Sequence, residues 1–208
     1  MFQFFFQPDI IQYRMPLAAK VIAIDPGHGG YDPGVLDHNV IEKEVNMAVS
    51  LILREYLQQG GATVIMTREK DMDLLEVSKG PKKRLDMKNR LNIIEKSEAN
   101  LLLSIHCNAI ASPIFSGAQT FYKEGDDEGM RLAGLIQKEL IRVLENTNRP
   151  IKAGEYYLLE NSSIAGAVVE VGFLSNPEEA ALLKDPHYQK KVAWAIYGGV
   201  IKYFDNEP

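Results

Sequence analysis

The fold is decided by two stretches of sequence, Val21-Ile22-Ala23-Ile24-Asp25-Pro26-Gly27-His28 and Leu101-Leu102-Leu103-Ser104-Ile105-His106. Each is a short apolar run that stops at polar or turn-forming residues, which is typical of a buried strand. Both histidines then follow a strand of a largely parallel sheet. Open α/β sheets carry their functional sites at the carboxyl ends of such strands. The two imidazoles are therefore predicted to meet at one edge of the sheet.

Strands and helices alternate along the rest of the chain. This alternation predicts an α/β fold: a single domain with a mostly parallel (mixed) sheet of about six strands and helices on both faces. Residues 1–20 are assigned to an N-terminal extension, which could be the remnant of an export region, and residues 21–204 to the folded domain. Segments 71–83 and 146–154 are predicted loops. The predicted strands are 21–24, 62–67, 101–105, 117–122, 156–159 and 167–171, and the predicted helices lie within 45–57, 85–94, 132–144, 178–183 and 192–203.

Composition excludes several classes of protein. The 208 residues carry a net charge of −5 and show no basic stripe, which argues against nucleic acid as a partner. A single cysteine excludes an internal disulfide framework. Met1 to Lys20 contains four phenylalanines, but polar residues and Pro8 interrupt them, so we expect neither a convincing signal peptide nor a membrane span there.

Two acidic positions complete a candidate metal centre with His28 and His106. Two imidazoles and one carboxylate can hold a catalytic zinc ion while leaving its fourth position open to water. Glu42 and Glu44 both lie near the start of the first helix, where carboxylates are ordinarily complements of the helix dipole. They are two residues apart, so at most one of them can join the site.

Glu170 is the candidate general base. It follows Val168-Val169 and precedes Val171 in an apolar run, where an unpaired charge is costly. A cation or a metal-bound water would stabilise it, and burial would raise its pKa toward the range of a useful base. The nearby Cys107 is predicted to face away from the metal as a small core residue, because neighbouring side chains of a strand point to opposite faces. His38 and His187 are interpreted as structural.

Six motifs, taken in order, resemble the signature of the zinc-dependent N-acetylmuramoyl-L-alanine amidases. The resemblance runs from about Val21 to Phe204, and within the family it is strongest to the sporulation-specific amidases of endospore formers. The family usually has aspartate at the position of Glu44. The motifs are Asp25-Pro26-Gly27-His28-Gly29-Gly30, Glu42-Lys43-Glu44, Thr67-Arg68, Ser104-Ile105-His106-Cys107-Asn108-Ala109, Gly117 to Tyr122, and Val169-Glu170-Val171-Gly172-Phe173-Leu174-Ser175-Asn176-Pro177.

The resemblance implies one zinc ion per chain, with His28, Glu42 and His106 as ligands and Glu170 as the catalytic carboxylate. It implies cleavage of the bond between the lactyl group of muramic acid and L-alanine in peptidoglycan, as a step toward muramic-δ-lactam in spore cortex. It also implies action outside the cytoplasm, in the cell envelope or the intermembrane space of the developing spore. An exported protein activator is a further implied partner.

Other interpretations remain open at this point. Asn108, Ser175 and Asn176 are candidate substrate-binding residues at the same edge of the sheet. The same metal set would serve a zinc peptidase acting on wall peptides, or a vegetative cell-wall autolysin. A wall-binding module without turnover is a third class, but such a module would typically have lost Glu170 or one of the histidines.

Overall fold

The computed structural model describes residues 15–75 and 81–205. Eight strands and six helices occur in these ranges. In chain order they are β1 (Val21–Pro26), β2 (Leu36–Asp37), β3 (Val40–Ile41), α1 (Glu42–Gln59), β4 (Thr63–Met66), α2 (Lys82–Lys96), β5 (Leu101–Asn108), β6 (Gln119–Tyr122), α3 (Asp127–Leu144), β7 (Lys152–Ala153), α4 (Tyr157–Asn161), β8 (Gly166–Phe173), α5 (Pro177–Lys184) and α6 (Pro186–Asp205).

Six of the strands form the central sheet, in the order β4-β1-β5-β8-β6-β7. Strands β4, β1, β5 and β8 run parallel to one another, whereas β6 runs antiparallel to β8. The predicted fold class, a single α/β domain with a mostly parallel sheet of about six strands, is confirmed. Strands β2 and β3 form a separate small hairpin, which the sequence analysis did not predict.

The sheet has an apolar core on each face. Along β5, Leu101, Leu103 and Ile105 belong to the larger core cluster, and Leu102 belongs to the smaller one. This alternation is the two-residue period of a strand. Helices α1, α3 and α6 pack together on the larger core, and α2 and α4 pack on the other side. Ser104 and His106 have the same parity as Leu102, so they share the face covered by α2 and α4.

The predicted strand at 156–159 is wrong. Residues Tyr157–Asn161 form the helix α4, and both Leu158 and Leu159 are buried. Two successive buried leucines do not fit a strand with one solvated face, but they fit a short helix that lies against the sheet. The sixth strand is instead Lys152–Ala153, inside the segment predicted to be a loop, and it pairs with β6.

Part of the predicted N-terminal extension is packed on the domain. Residues 16–19 form a turn, Leu17 is fully buried, and its amide donates to the Gly60 carbonyl oxygen at 2.9 Å. Residues 1–14 of that extension lie outside the described residues. No helix within 15–75 and 81–205 is long and apolar enough to cross a membrane.

Candidate metal centre

His28 lies in the loop that follows β1, and its φ of +61° is in the left-handed region. This conformation is uncommon for a residue that has a Cβ atom. Arg90 donates to the carbonyl oxygens of Pro26 and His28 at 2.9 and 2.6 Å. Arg68 donates to the carbonyl oxygens of Pro26 and Gly27, each at 2.9 Å. Two guanidinium groups thus hold the backbone on which the imidazole is mounted.

The charge of Arg90 is compensated beneath the loop. Its side chain is 1% exposed and forms ion pairs with Asp25 at 2.8 Å and with Asp86 at 2.7 Å. Burial alone would lower the pKa of Arg90, but the two carboxylates raise it above its ordinary value. Asp25 also accepts hydrogen bonds from the hydroxyls of Thr67 and Ser104, at 2.6 and 2.9 Å. The result is a fully paired polar network, which is costly to break once buried.

Glu42 is the first residue of α1 and is buried. Its Oε2 accepts from the Val35 amide at 2.9 Å, and its Oε1 accepts from the Cys107 amide at 3.1 Å and the Asn46 side chain at 3.2 Å. Gly34 has a φ of +68°, and a Cβ atom there would lie 2.5 Å from Glu42 Oε2. The loop before α1 can therefore wrap this carboxylate only because residue 34 has no side chain.

His106 lies near the end of β5 and meets His28 at Glu42. Its Nδ1 is 3.1 Å from Glu42 Oε1, and His28 Nε2 is 3.2 Å from the same oxygen. The two rings approach edge to face, with centroids 5.0 Å apart. A Cβ atom on Gly27 would lie 2.2 Å from His106 Cε1, so glycine at position 27 leaves the space that the ring occupies.

The three side chains influence each other's ionisation. Burial would raise the pKa of Glu42, but hydrogen bonds and charge interactions with His106 and His28 hold it well below its usual range. Burial would lower the pKa of His28, but the carboxylates of Glu42 and Asp32 raise it. Asp32 Oδ2 lies 2.9 Å from His28 Nδ1. A carboxylate behind the ring in this way orients a metal-ligating histidine and leaves Nε2 facing the centre.

The donor set fits a zinc ion. One potential ligand atom from each of His28, Glu42 and His106 lies within 4.8 Å of the other two. Two imidazole nitrogens and one carboxylate oxygen match a catalytic zinc site that keeps one position for water. Glu44 is exposed and is not part of this group. The structure thus places Glu42 at the centre, a choice that spacing alone left open.

Glu170 lies on β8, directly across from His106 of β5 in the parallel register. It is only 7% exposed, and burial raises its pKa, with the nearby charge of Glu42 acting in the same direction. Tyr156 donates its hydroxyl to Glu170 Oε1 at 3.2 Å, whereas Oε2 is buried without a hydrogen-bond partner. A buried, unpartnered carboxylate oxygen beside two imidazoles is suited to accept a proton.

The three candidate substrate-binding residues lie where β5 and β8 end, and part of their polar capacity is used within the protein. Asn108 pairs with Phe173 in the sheet register. The Ser175 hydroxyl accepts from the Ile110 amide at 3.3 Å. Asn176 caps α5, accepting from the amides of Glu178 and Glu179 and donating to the Pro113 carbonyl oxygen.

Other residues singled out in the sequence lie away from the centre. Cys107 is buried on the opposite face of the sheet within the larger core, as predicted for a small core residue. His38 and His187 are exposed and do not belong to the metal-ligand group.

Sequence reasoning missed two functional neighbours of the site, Arg90 and Tyr156. Arg90 lies on the face of α2 that also carries Met87, Leu91 and Ile94, which pack on the smaller core. Its place within that apolar face was therefore a signal that it is buried. The apolar run predicts a strand that begins at Tyr156, and a strand there gives no reason to expect a hydrogen bond between its hydroxyl and Glu170. A turn signal was available in Gly154, which precedes it by two residues.

The fold is a mostly parallel sheet, and a candidate His/Glu/His metal site lies at the ends of its strands β1 and β5. A family model described as N-acetylmuramoyl-L-alanine amidase matches residues 22–202. The germination-specific N-acetylmuramoyl-L-alanine amidase of Bacillus subtilis (strain 168) is 49% identical over 196 residues, covering 92% of this chain and 83% of that protein.

Solved structures give the same result. The CwlD amidase from Clostridioides difficile, determined in complex with the GerS lipoprotein, has a TM-score of 0.88 and 42% identity, covering 90% of this chain and 100% of that one. The catalytic domain of CwlV from Bacillus (Paenibacillus) polymyxa var. colistinus has a TM-score of 0.79 and 30% identity, covering 90% and 99%. The chain belongs to the N-acetylmuramoyl-L-alanine amidase family, which confirms the resemblance drawn from the six motifs. Amidases of this family are generally zinc-dependent.

Proposed function

We propose that this protein is a zinc-dependent amidase that releases stem peptides from muramic acid in spore cortex. The observation that carries the proposal is the placement of Glu170. Its unpartnered Oε2 is buried on the strand next to that of His106, and its carboxylate interacts electrostatically with the three side chains that can share one metal ion. We further propose one zinc ion per chain, held by His28, Glu42 and His106.

The residues divide the reaction between them. Zinc, when bound by the three ligands, lowers the pKa of a coordinated water and polarises the scissile carbonyl. Glu170 takes the proton of the attacking water at Oε2 and later delivers it to the nitrogen of L-alanine. The hydroxyl group adds to the lactyl carbonyl carbon, the carbon–nitrogen bond breaks, and both products leave as closed-shell molecules. Tyr156 donates its hydroxyl to Glu170 Oε1 and so fixes the carboxylate, which leaves Oε2 free to accept the proton.

The cortex role and the location rest on the relatives. The relative with 49% identity is named germination-specific, and the structural neighbour with a TM-score of 0.88 was solved with a lipoprotein. We therefore propose that this chain acts outside the cytoplasm, in the intermembrane space of the developing spore, and that an exported protein partner assists it. Asn108, Ser175 and Asn176 remain proposed substrate contacts at the end of β5 and β8.

The chemical proposal is tested by product analysis on protein purified without chelators. Zinc is quantified per chain, and cortex and wall peptidoglycan are then digested and their products analysed by mass spectrometry. We expect intact glycan and peptides with a free L-alanine N-terminus. Cleavage between two amino acids of the stem instead would support the zinc peptidase alternative.

A matched pair of variants tests the ligand assignment. His106→Ala should lose zinc, whereas Glu44→Ala should keep it, because Glu44 is exposed and outside the ligand group. Equal zinc content in the two variants would contradict the assignment. In a sporulating host, deletion should leave vegetative growth unchanged and remove muramic-δ-lactam from cortex, and normal lactam content would favour a vegetative autolysin.

A further inference from the structure

A cavity of about 190 Å³ leads from the two imidazoles toward the start of α2. His28 and His106 line one end, and Tyr157, Met87 and Lys83 line the other. Met87, Tyr157, Leu158 and Val168 give the cavity apolar walls. A substrate that places its amide at the histidines can therefore extend along this cavity on one side of the scissile bond.

The cavity continues into a more open groove of about 680 Å³. Lys83, Met87 and Tyr157 line both spaces, so the cavity at the histidines and the open groove adjoin one another. The open groove is bordered by three successive basic residues, Lys82, Lys83 and Arg84, in the first turn of α2. We call these three residues the basic rim.

Helix stability does not explain the basic rim. The amino end of a helix carries partial positive charge, so basic side chains are unfavourable there, and the first turn of α2 has no acidic residue. Lys82 lies over the Tyr31 ring at 5.5 Å from its centroid. Within residues 15–75 and 81–205, none of the three side chains makes a hydrogen bond or an ion pair. Their charges are therefore available to a ligand.

The acidic groups that the structure describes near the basic rim are engaged elsewhere. Asp86 lines the same cavity but is already paired with Arg90 at 2.7 Å. Asp32 is near Lys83, but its carboxylate oxygens lie against His28 Nδ1 and the Gly34 amide, at 2.9 and 3.1 Å. The surface is thus locally positive in a chain whose net charge is −5.

The positive charge at this groove identifies which half of the substrate it can bind. Of the two parts joined by the scissile amide, the muramoyl sugar is neutral once its lactyl carboxyl is in the amide, and the peptide carries the free carboxylates. A different groove is lined by Glu124, Glu155 and Glu160 and would repel those carboxylates.

We propose that the groove between Tyr157, Met87 and the basic rim is the binding site for the stem peptide on the leaving-group side, with the basic rim pairing with its carboxylates. This inference rests on the proposed function and adds to it the substrate group that the enzyme recognises beyond the reacting amide. The apolar walls accommodate the alanine methyl group and the methylenes of the following residue, and the basic rim selects for acidic stems.

The experiment compares two muramoyl dipeptides that differ only in charge. One carries L-alanyl-D-glutamic acid with both carboxylates free, and the other carries the corresponding diamide. For the zinc-loaded wild-type chain we expect KM to be roughly three- to tenfold lower for the acid, with similar kcat, because exposed ion pairs each contribute modestly. Raising the salt concentration should reduce this preference, since exposed charges are screened.

The variants are Lys83→Gln, the triple variant Lys82→Gln/Lys83→Gln/Arg84→Gln, and Lys88→Gln as a control. Lys88 is exposed on the same helix and does not line either space. The triple variant should lose most of the preference for the acid, because its KM for the acid should rise toward its KM for the diamide. The control should behave as the wild type. An unchanged preference in the triple variant, or no preference in the wild type, would overturn the proposal.

A binding measurement separates this proposal from the proposed function. The affinities of both dipeptides are measured by calorimetry on zinc-loaded Glu170→Gln protein, which should turn them over too slowly to disturb the measurement. Suppose that the wild type hydrolyses neither dipeptide, but that the acid binds more tightly than the diamide and the triple variant abolishes this difference. The proposed reaction is then wrong, whereas the proposed binding site is supported. Equal affinities for acid and diamide would overturn the binding site whatever the hydrolysis result.

Discussion

Gly27→Ala is expected to disrupt the metal centre without changing any candidate ligand. The structure gives the size of the perturbation. A Cβ atom at position 27 would lie 2.2 Å from His106 Cε1, 2.4 Å from its Nε2 and 2.6 Å from its Nδ1. Relief of these contacts requires the ring or the loop to shift by roughly 1.3–1.8 Å, because carbon atoms in ordinary contact are about 3.5–4.0 Å apart.

A shift of this size is several times the tolerance of a metal–ligand bond, which is about 0.2 Å. We therefore expect zinc affinity to fall by at least the roughly 10–100-fold seen when the groups supporting metal ligands are removed. Activity at limiting zinc should fall in parallel and recover in part at high zinc. The assay is competition for zinc with a chromophoric chelator, followed by amidase rates on the same samples.

Gly134→Ala is the matched control. Gly134 lies within α3, and the nearest atom to a Cβ there would be Ile151 Cδ1 at 3.9 Å, an ordinary contact. Alanine is favoured over glycine in a helix by up to about 1 kcal/mol, so this variant should be slightly more stable with unchanged zinc affinity. Wild-type zinc affinity in Gly27→Ala would refute the position assigned to the His106 ring.

Three further outcomes are expected. Glu170→Gln should keep zinc and fold while activity drops by roughly 10²–10⁴, the usual contribution of a positioned general base; a stable, zinc-loaded and nearly fully active variant would contradict the assignment. Tyr156→Phe should retain zinc and lower kcat more than it changes KM, because it removes the hydrogen bond to Glu170 Oε1; an unchanged kcat would show that the hydroxyl does not position the carboxylate. Arg90→Leu should lower the free energy of unfolding, measured by chemical denaturation, by about 3–5 kcal/mol, because it leaves the buried Asp25 without its cation. A loss below about 1 kcal/mol would mean that the polar network relaxes around the substitution.

The parts of the structure that could be predicted from sequence are those set by local patterns. The apolar runs before His28 and His106 are strands because their side chains are buried on both faces of the sheet. A parallel sheet then brings the ends of β1 and β5 together, so the meeting of the two histidines follows from topology. Glu170 could be singled out for a related reason, since burying a charged side chain in an apolar run is costly unless the charge is paired.

The parts that could not be predicted depend on contacts between distant segments. The choice between Glu42 and Glu44 is made by the loop at Gly34 and Val35, which wraps around one carboxylate and leaves the other in solvent. A two-residue strand such as Lys152–Ala153 is too short to carry a pattern. Residues 156–159 show that a short apolar run does not distinguish a strand from one turn of helix.

The buried arginines explain how a strained histidine can serve as a precise ligand. A left-handed backbone at a non-glycine residue costs roughly 1–3 kcal/mol, and Arg90 and Arg68 offset this by binding the carbonyl oxygens on either side of it. Two guanidinium groups beside a candidate cation site would oppose metal binding if their charge were uncompensated. Asp25 and Asp86 remove that conflict for Arg90, while burial and the charge of Arg90 lower the pKa of Arg68 to about 10. Both guanidinium groups stay ionised at neutral pH and hold the His28 loop in place, so the proposed zinc site is preorganised and binding energy would not be used to form it.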